Sequence, residues 1–167
     1  MRQSTVTALA VATLAVLRPA LAADGDGVRL QGTWFEQPVR RAVHAAARRL
    51  ADPSCAFVLA SFRDGSGRTL DERLLELQLE APDYALMVLF YDGSNDAPCH
   101  RPRVFAFTAP GSRVVHACPD LGRLASSQPQ RAEAVVIHEL LHTLGLRENP
   151  PASDDITVAV ENHCREP

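Results

Sequence analysis

Apolar residues recur at intervals of three and four positions in residues 129–144, which is the pattern of a helix with one buried face. The stripe consists of Val136, Ile137, Leu140, Leu141 and Leu144. Pro129 suits the first helical turn, and Ser126 or Ser127 could cap it. Gly145 offers a C-terminal stop. The pattern therefore predicts a helix over residues 129–144.

Three other segments favour helices. Residues 38–50 carry an apolar stripe, and we expect their arginines to face solvent. Residues 153–164 repeat apolar side chains every four positions, with two aspartates in the first turn. Residues 70–79 are less regular but also favour a helix.

Shorter apolar runs predict strands. Residues 55–62 and 84–91 are almost wholly apolar, as in buried strands. Residues 104–108 and 113–117 flank a turn-prone Ala-Pro-Gly-Ser sequence and predict a β-hairpin. The order of these elements predicts one small α/β or α+β domain. We favour the α+β class, with a mixed sheet, the helix over residues 129–144 and a C-terminal helix.

The N-terminus resembles a secretory leader. Residues 1–22 begin with Met1-Arg2, continue through a short apolar stretch and end in Ala20-Leu21-Ala22, a small-x-small cleavage pattern. We therefore expect residues 1–22 to be a signal peptide and residues 23–167 to form the mature domain, secreted or periplasmic. The Asp24-Gly25-Asp26-Gly27 segment predicts a flexible mature N-terminus.

All four cysteines lie in the mature region, which suits two disulfides in an oxidising compartment. Three pairings exist. We favour Cys99 with Cys118 at the base of the hairpin, and Cys55 with Cys164 tying the C-terminus to the first predicted strand.

Charge and hydropathy argue against nucleic-acid binding and against a membrane span in the mature chain. The formal net charge is -3 and no run of Lys or Arg occurs, so the sequence provides no electrostatic basis for nucleic-acid binding. The mature region has no hydrophobic segment of membrane-spanning length. We expect a monomer with no membrane span in the mature chain.

The most informative residues are His138-Glu139-Leu140-Leu141-His142. On a helix, positions i and i+4 lie on the same face, so both imidazoles can bind one metal ion. Glu139 follows the first histidine and can act as general base on a water at the metal. The string therefore predicts zinc-dependent hydrolysis.

The longer string has the form His-Glu-x-x-His-x-x-Gly-x-x-Glu and resembles the metzincin metallopeptidase signature. Its layout is most similar to the small secreted snapalysin-type enzymes, in which the last position is Asp. The resemblance implies a zincin-like fold, Gly145 as the turn, and a peptide or protein substrate. It also implies His138, His142 and Glu148 as Zn²⁺ ligands, with Glu139 as the general base. Glutamate oxygen is an established zinc ligand.

A competing model for the third ligand resembles the gluzincins, in which a glutamate from a later helix completes the site. Glu161 lies on the predicted C-terminal helix, nineteen residues after His142, and His163 is close to it in sequence. The sequence leaves three alternatives: Glu148, this pair, and a site without a third protein ligand.

A second functional hypothesis is a disulfide-stabilised secreted binding module with a structural or catalytically inactive zinc site. The chain has no methionine after Met87 and no tyrosine after the motif, whereas metzincins carry a methionine turn beneath the metal. Glu139 opposes this hypothesis because a structural site requires no base.

Overall fold

Residues 25–164, which the computed structural model describes, form seven α-helices and one four-stranded sheet. The predicted signal peptide, residues 1–22, lies outside these residues. The helices are α1 (Glu36–Leu50), α2 (Pro53–Ser61), α3 (Leu70–Leu77), α4 (Ala81–Met87), α5 (Pro119–Ser127), α6 (Pro129–Thr143) and α7 (Ser153–His163). The strands are β1 (Val28–Arg29), β2 (Leu89–Asp92), β3 (Ala106–Thr108) and β4 (Val114–Ala117).

The sheet is mixed and has the strand order β1-β2-β4-β3. β1, β2 and β4 are parallel, whereas β3 runs antiparallel to β4. The predicted hairpin is confirmed, and it places β3 at an edge of the sheet. The predicted α+β class is confirmed as well.

Helix α6 is the helix predicted over residues 129–144, and most of it is buried. Eleven of its fifteen residues are buried, and it packs against α1, α5, α7 and β3. The serine cap predicted for it is wrong. Ser126 and Ser127 end α5, where their hydroxyls donate to carbonyls four residues earlier, at 2.9 Å. The sequence pattern missed α5, although Pro119 at its first turn was a usable signal.

Two predicted strands are wrong, wholly or in part. Residues 55–62 lie mainly in α2. Asp52 caps the start of this helix, and its side chain accepts a hydrogen bond from the Ser54 amide at 2.8 Å. Residues 84–91 form the end of α4 followed by β2. A short apolar run does not by itself distinguish a buried strand from a buried helical turn. The aspartate and the two prolines at the starts of these helices, Pro53 and Pro82, were the local signals for helix. The helices predicted over 38–50, 70–79 and 153–164 are confirmed as α1, α3 and α7.

The arginines of α1 are not all at the surface, contrary to the sequence-based expectation. Arg49 is buried, with its Nε 2.7 Å from a carboxylate oxygen of Glu133 on α6. Its Nη1 donates to the carbonyl of Cys164 at 3.1 Å. A buried charge requires such partners because it has lost its hydration. This pair therefore links α1, α6 and the end of α7.

The predicted flexible N-terminus is wrong at Asp26, which is buried. Its carboxylate pairs with Arg40, accepts a hydrogen bond from the Val28 amide at 3.1 Å and lies 2.8 Å from Nε2 of His44. Burial alone would raise the pKa of Asp26, but the hydrogen bonds from Arg40, Val28 and His44 outweigh it and hold the pKa below its ordinary value.

Both favoured disulfides are present, Cys55–Cys164 and Cys99–Cys118. Cys55 lies on α2 rather than on a strand, so the first bond joins α2 to the end of α7. No helix within residues 25–164 has both the length and the apolar character required to cross a membrane.

We expect Asp26→Asn to lower the free energy of unfolding by about 1–3 kcal/mol at pH 7, because it removes a charge from a buried ion pair. The folded-state pKa lies below the unfolded value of about 3.9. The stabilisation is therefore present above about pH 4 and is lost as pH falls through the folded-state pKa.

Urea unfolding of the wild type and of Asp26→Asn between pH 7 and pH 2 measures this effect. The difference between their free energies of unfolding should decrease as the pH falls. Asp83→Asn, at an exposed position of α4, is the control and should change stability by less than about 0.5 kcal/mol. An unchanged stability of Asp26→Asn at pH 7 would contradict the assigned role.

Candidate metal centre

The end of α6 reverses the chain toward the histidine pair. The Gly145 amide donates to the His142 carbonyl at 2.9 Å, and the Leu146 amide donates to the Leu141 carbonyl at 3.2 Å. These two bonds form a Schellman motif. Gly145 has φ +110, and an added Cβ would lie 3.0 Å from the Cβ of Asp64. Glycine is therefore required both for the left-handed turn and for the close approach.

This turn brings Glu148 back to the two histidines. Nε2 of His138 and Nε2 of His142 lie 3.0 Å apart. Oε1 of Glu148 is 3.6 Å from the first nitrogen and 3.4 Å from the second. These three residues form a group that could hold a metal ion. The structure thus brings together the three residues that the sequence motif singled out.

The partners of the two Nδ1 atoms determine which nitrogens carry protons. Nδ1 of His142 lies 2.9 Å from the carbonyl of Leu146, which can only accept a hydrogen bond. Nδ1 of His138 lies 3.1 Å from the hydroxyl of Thr157, and that hydroxyl donates to the Ser153 carbonyl at 3.1 Å. In the neutral form of each imidazole, these partners therefore place the proton on Nδ1 and leave a lone pair on Nε2.

In these tautomers the group presents three acceptors that face one another. Two Nε2 lone pairs and a carboxylate oxygen at 3.0–3.6 Å repel one another unless a cation lies among them. Zinc bonds of about 2.0–2.1 Å in a tetrahedral arrangement separate the ligand atoms by about 3.3 Å. The donor set and its spacing therefore fit a small divalent cation.

The ionisation of His138 is consistent with a metal-binding role. Burial lowers the pKa of His138 to about 4; the neighbouring His142 acts in the same direction, and Glu148 opposes them. The imidazole is therefore neutral at physiological pH, which is the form that binds a metal.

Glu139 lies beside this group in the same cleft and is not one of its three members. Its side chain is buried, and burial together with the negative charge of Glu148 raises its pKa to about 8. Positive charge close to a carboxyl group favours its ionised form. A cation held by the three neighbouring residues would therefore lower the pKa of Glu139.

The cleft around the group has a volume of about 670 Å³, which is within the range of small-molecule and peptide sites. Helix α6 lies between two walls, one formed by residues 98–110 and the other by α7. The first wall carries Arg101 and Arg103, and the second carries Asp154 and Glu161. The two walls therefore present charges of opposite sign.

The alternative third ligands occupy other positions. Glu161 lines the cleft but does not belong to the metal-binding group. His163 stacks on Phe57 of α2, with ring centroids 4.4 Å apart. Among the described residues, Glu148 is the carboxylate that lies within 4 Å of both imidazoles.

Sequence reasoning missed two residues that orient the histidines. Leu146 acts through its backbone carbonyl, which no side-chain pattern reports. Thr157 is nineteen residues from His138 and reaches it only because α7 packs on α6. Neither contact produces a periodic signal in the sequence.

No family model matches the chain, and neither a curated protein nor a solved structure is significantly similar to it. The likeness to metzincins therefore rests on the sequence motif.

Glu148→Ala is expected to raise the zinc dissociation constant by at least about 100-fold, since even outer partners of metal ligands typically contribute 10–100-fold. Competition with a chromophoric chelator measures this constant. Glu161→Ala removes a carboxylate from the same cleft and should leave the zinc dissociation constant nearly unchanged. The reverse result, a loss of affinity with Glu161→Ala only, would place the third ligand on α7.

Proposed function

We propose that the protein is a zinc-dependent peptidase of the secreted or periplasmic space. The observation that carries this proposal is the convergence of two Nε2 lone pairs and a Glu148 oxygen within 3.6 Å, beside a buried glutamate in an open cleft. The two disulfides are consistent with an oxidising compartment. The metzincin-like string in the sequence supports the same conclusion.

Each residue would have one role. His138, His142 and Glu148 would hold the metal. When bound, zinc polarises a peptide carbonyl and lowers the pKa of water to about 7. Glu139 takes the proton of the attacking water and delivers it to the leaving amine. Thr157 and the Leu146 carbonyl keep the two imidazoles in the orientation that this arrangement needs.

The edge strand supports a peptide as substrate. β3 lines the cleft. One edge of β3 is hydrogen-bonded to β4, and its other edge has no neighbouring strand among the described residues of the sheet. The Phe105 carbonyl accepts from the Cys118 amide on the edge paired with β4, so the alternate residues Ala106 and Thr108 direct their backbone groups to the other edge. An extended peptide could bind there as an added strand.

The hairpin is attached to the metal centre. The Gly111 amide donates to the His142 carbonyl at 2.8 Å, which holds the turn between β3 and β4 against the end of α6. A peptide aligned on β3 would therefore have a defined position relative to Glu139.

We expect Glu139→Gln to retain stoichiometric zinc and to lose about 10²–10⁴-fold in the rate of peptide hydrolysis, which is the usual contribution of a general base. The measurement combines metal analysis with cleavage of a denatured protein and a peptide library. Glu161→Gln is the matched control in the same cleft and should hydrolyse peptides at a rate near that of the wild type.

The possible results separate the two functional hypotheses. Zinc binding without hydrolysis by the wild type would favour the binding module. A wild type that binds no zinc would refute the metal centre itself. Hydrolysis that survives Glu139→Gln would assign the base to another residue.

A further inference from the structure

A hydrogen bond joins the C-terminal helix to the metal-binding group, between Nδ1 of His138 and the hydroxyl of Thr157 at 3.1 Å. A threonine hydroxyl can donate or accept. Here it donates to the Ser153 carbonyl, one turn earlier on α7, and therefore accepts from the histidine.

We propose that Thr157 is a positioning residue that sets the metal affinity of the site by holding His138 in the Nδ1-protonated tautomer. The inference rests on the metal centre described above. Without the hydroxyl, the Nδ1–H group would lose its acceptor, and the ring could rotate or carry its proton on Nε2. Either change removes the lone pair that a metal ion needs.

The two histidines differ in how their tautomers are fixed. His142 uses the Leu146 carbonyl, four residues away, which belongs to the turn that ends its own helix. His138 depends on a different helix. A change at residue 157 should therefore act on His138 and leave His142 unaffected, which makes His142 an internal reference.

Helix α7 is held firmly enough to orient a ligand. Ile156 and Val160 on its inner face and Cys164 at its C-terminal end are fully buried. At its end, Cys164 is bonded to Cys55, and the carbonyls of His163 and Cys164 accept hydrogen bonds from Ser54 and Arg49 at 2.7 and 3.1 Å. Thr157 lies about two turns before this anchored end. Side chains supported in this way can fix the geometry of a metal ligand.

The test uses Thr157→Val, which removes the hydroxyl and keeps the branched shape, and Thr157→Ser, which keeps the hydroxyl. The zinc dissociation constant should rise about 10–100-fold in Thr157→Val, and Thr157→Ser should return it to near the wild-type value. Val158→Ala, at the next and exposed position of α7, is the control for a general effect on the helix.

A second measurement needs no metal. Long-range ¹H–¹⁵N correlation spectra of the metal-free protein report which imidazole nitrogen is protonated. In the wild type we expect both histidines to be protonated on Nδ1. In Thr157→Val, the His138 signals should move toward the Nε2-protonated form, while the His142 signals stay in place.

The results distinguish failure of this inference from failure of the proposed function. Unchanged zinc affinity together with an unchanged His138 tautomer in Thr157→Val would overturn the role of Thr157 while leaving the metal centre intact. A wild type without zinc affinity would overturn the proposed function, and the tautomer measurement would still decide the His138–Thr157 bond. Thr157→Ala provides a second hydroxyl-free variant if the valine variant does not fold.

Discussion

The arrangement of the candidate site depends on where the Nδ1 protons of two histidines are placed. Each Nδ1 faces an acceptor, so both Nε2 lone pairs are directed inward and meet 3.0 Å apart. This juxtaposition is unfavourable without a cation, and the repulsion between acceptors is compensated when a positive charge binds among them. The turn after α6 supplies the acceptor for Nδ1 of His142, and α7 supplies the acceptor for Nδ1 of His138.

Burial of α6 keeps the two imidazole rings in this orientation. The helix packs against α1, α5, α7 and β3, so the rings of His138 and His142 have little room to rotate. The same burial removes water from Glu139 and raises its pKa. A carboxyl group in this state changes its ionisation strongly in response to a nearby charge, which is the property expected of a base beside a metal ion.

Covalent and ionic links hold the elements around the site. Cys55–Cys164 joins α2 to the end of α7, and the buried Arg49–Glu133 pair joins α1 to α6 next to that disulfide. Cys99–Cys118 joins the wall of the cleft before β3 to the start of α5. A domain of this size gains from such cross-links because its core is small.

The sequence by itself determined the parts of the protein that depend on neighbours along the chain. The helical periodicity of residues 129–144, the His-Glu-x-x-His spacing, the turn at Gly145 and the return to Glu148 all lie within one short segment. Local geometry therefore brings them together. The hairpin and α7 were predictable for the same reason.

Tertiary structure decided what depends on residues distant in sequence. Residues 55–62 are equally compatible with a buried strand or a helical turn by apolar content, and packing on α3 and α7 accompanies the helical form. Arg49 resembles a solvent-facing arginine until Glu133 and the Cys164 carbonyl are placed beside it. Thr157 becomes a partner of His138 only when α7 packs on α6. Contacts of this kind leave no pattern along the chain, because the two groups are joined through space and not by a regular spacing in sequence.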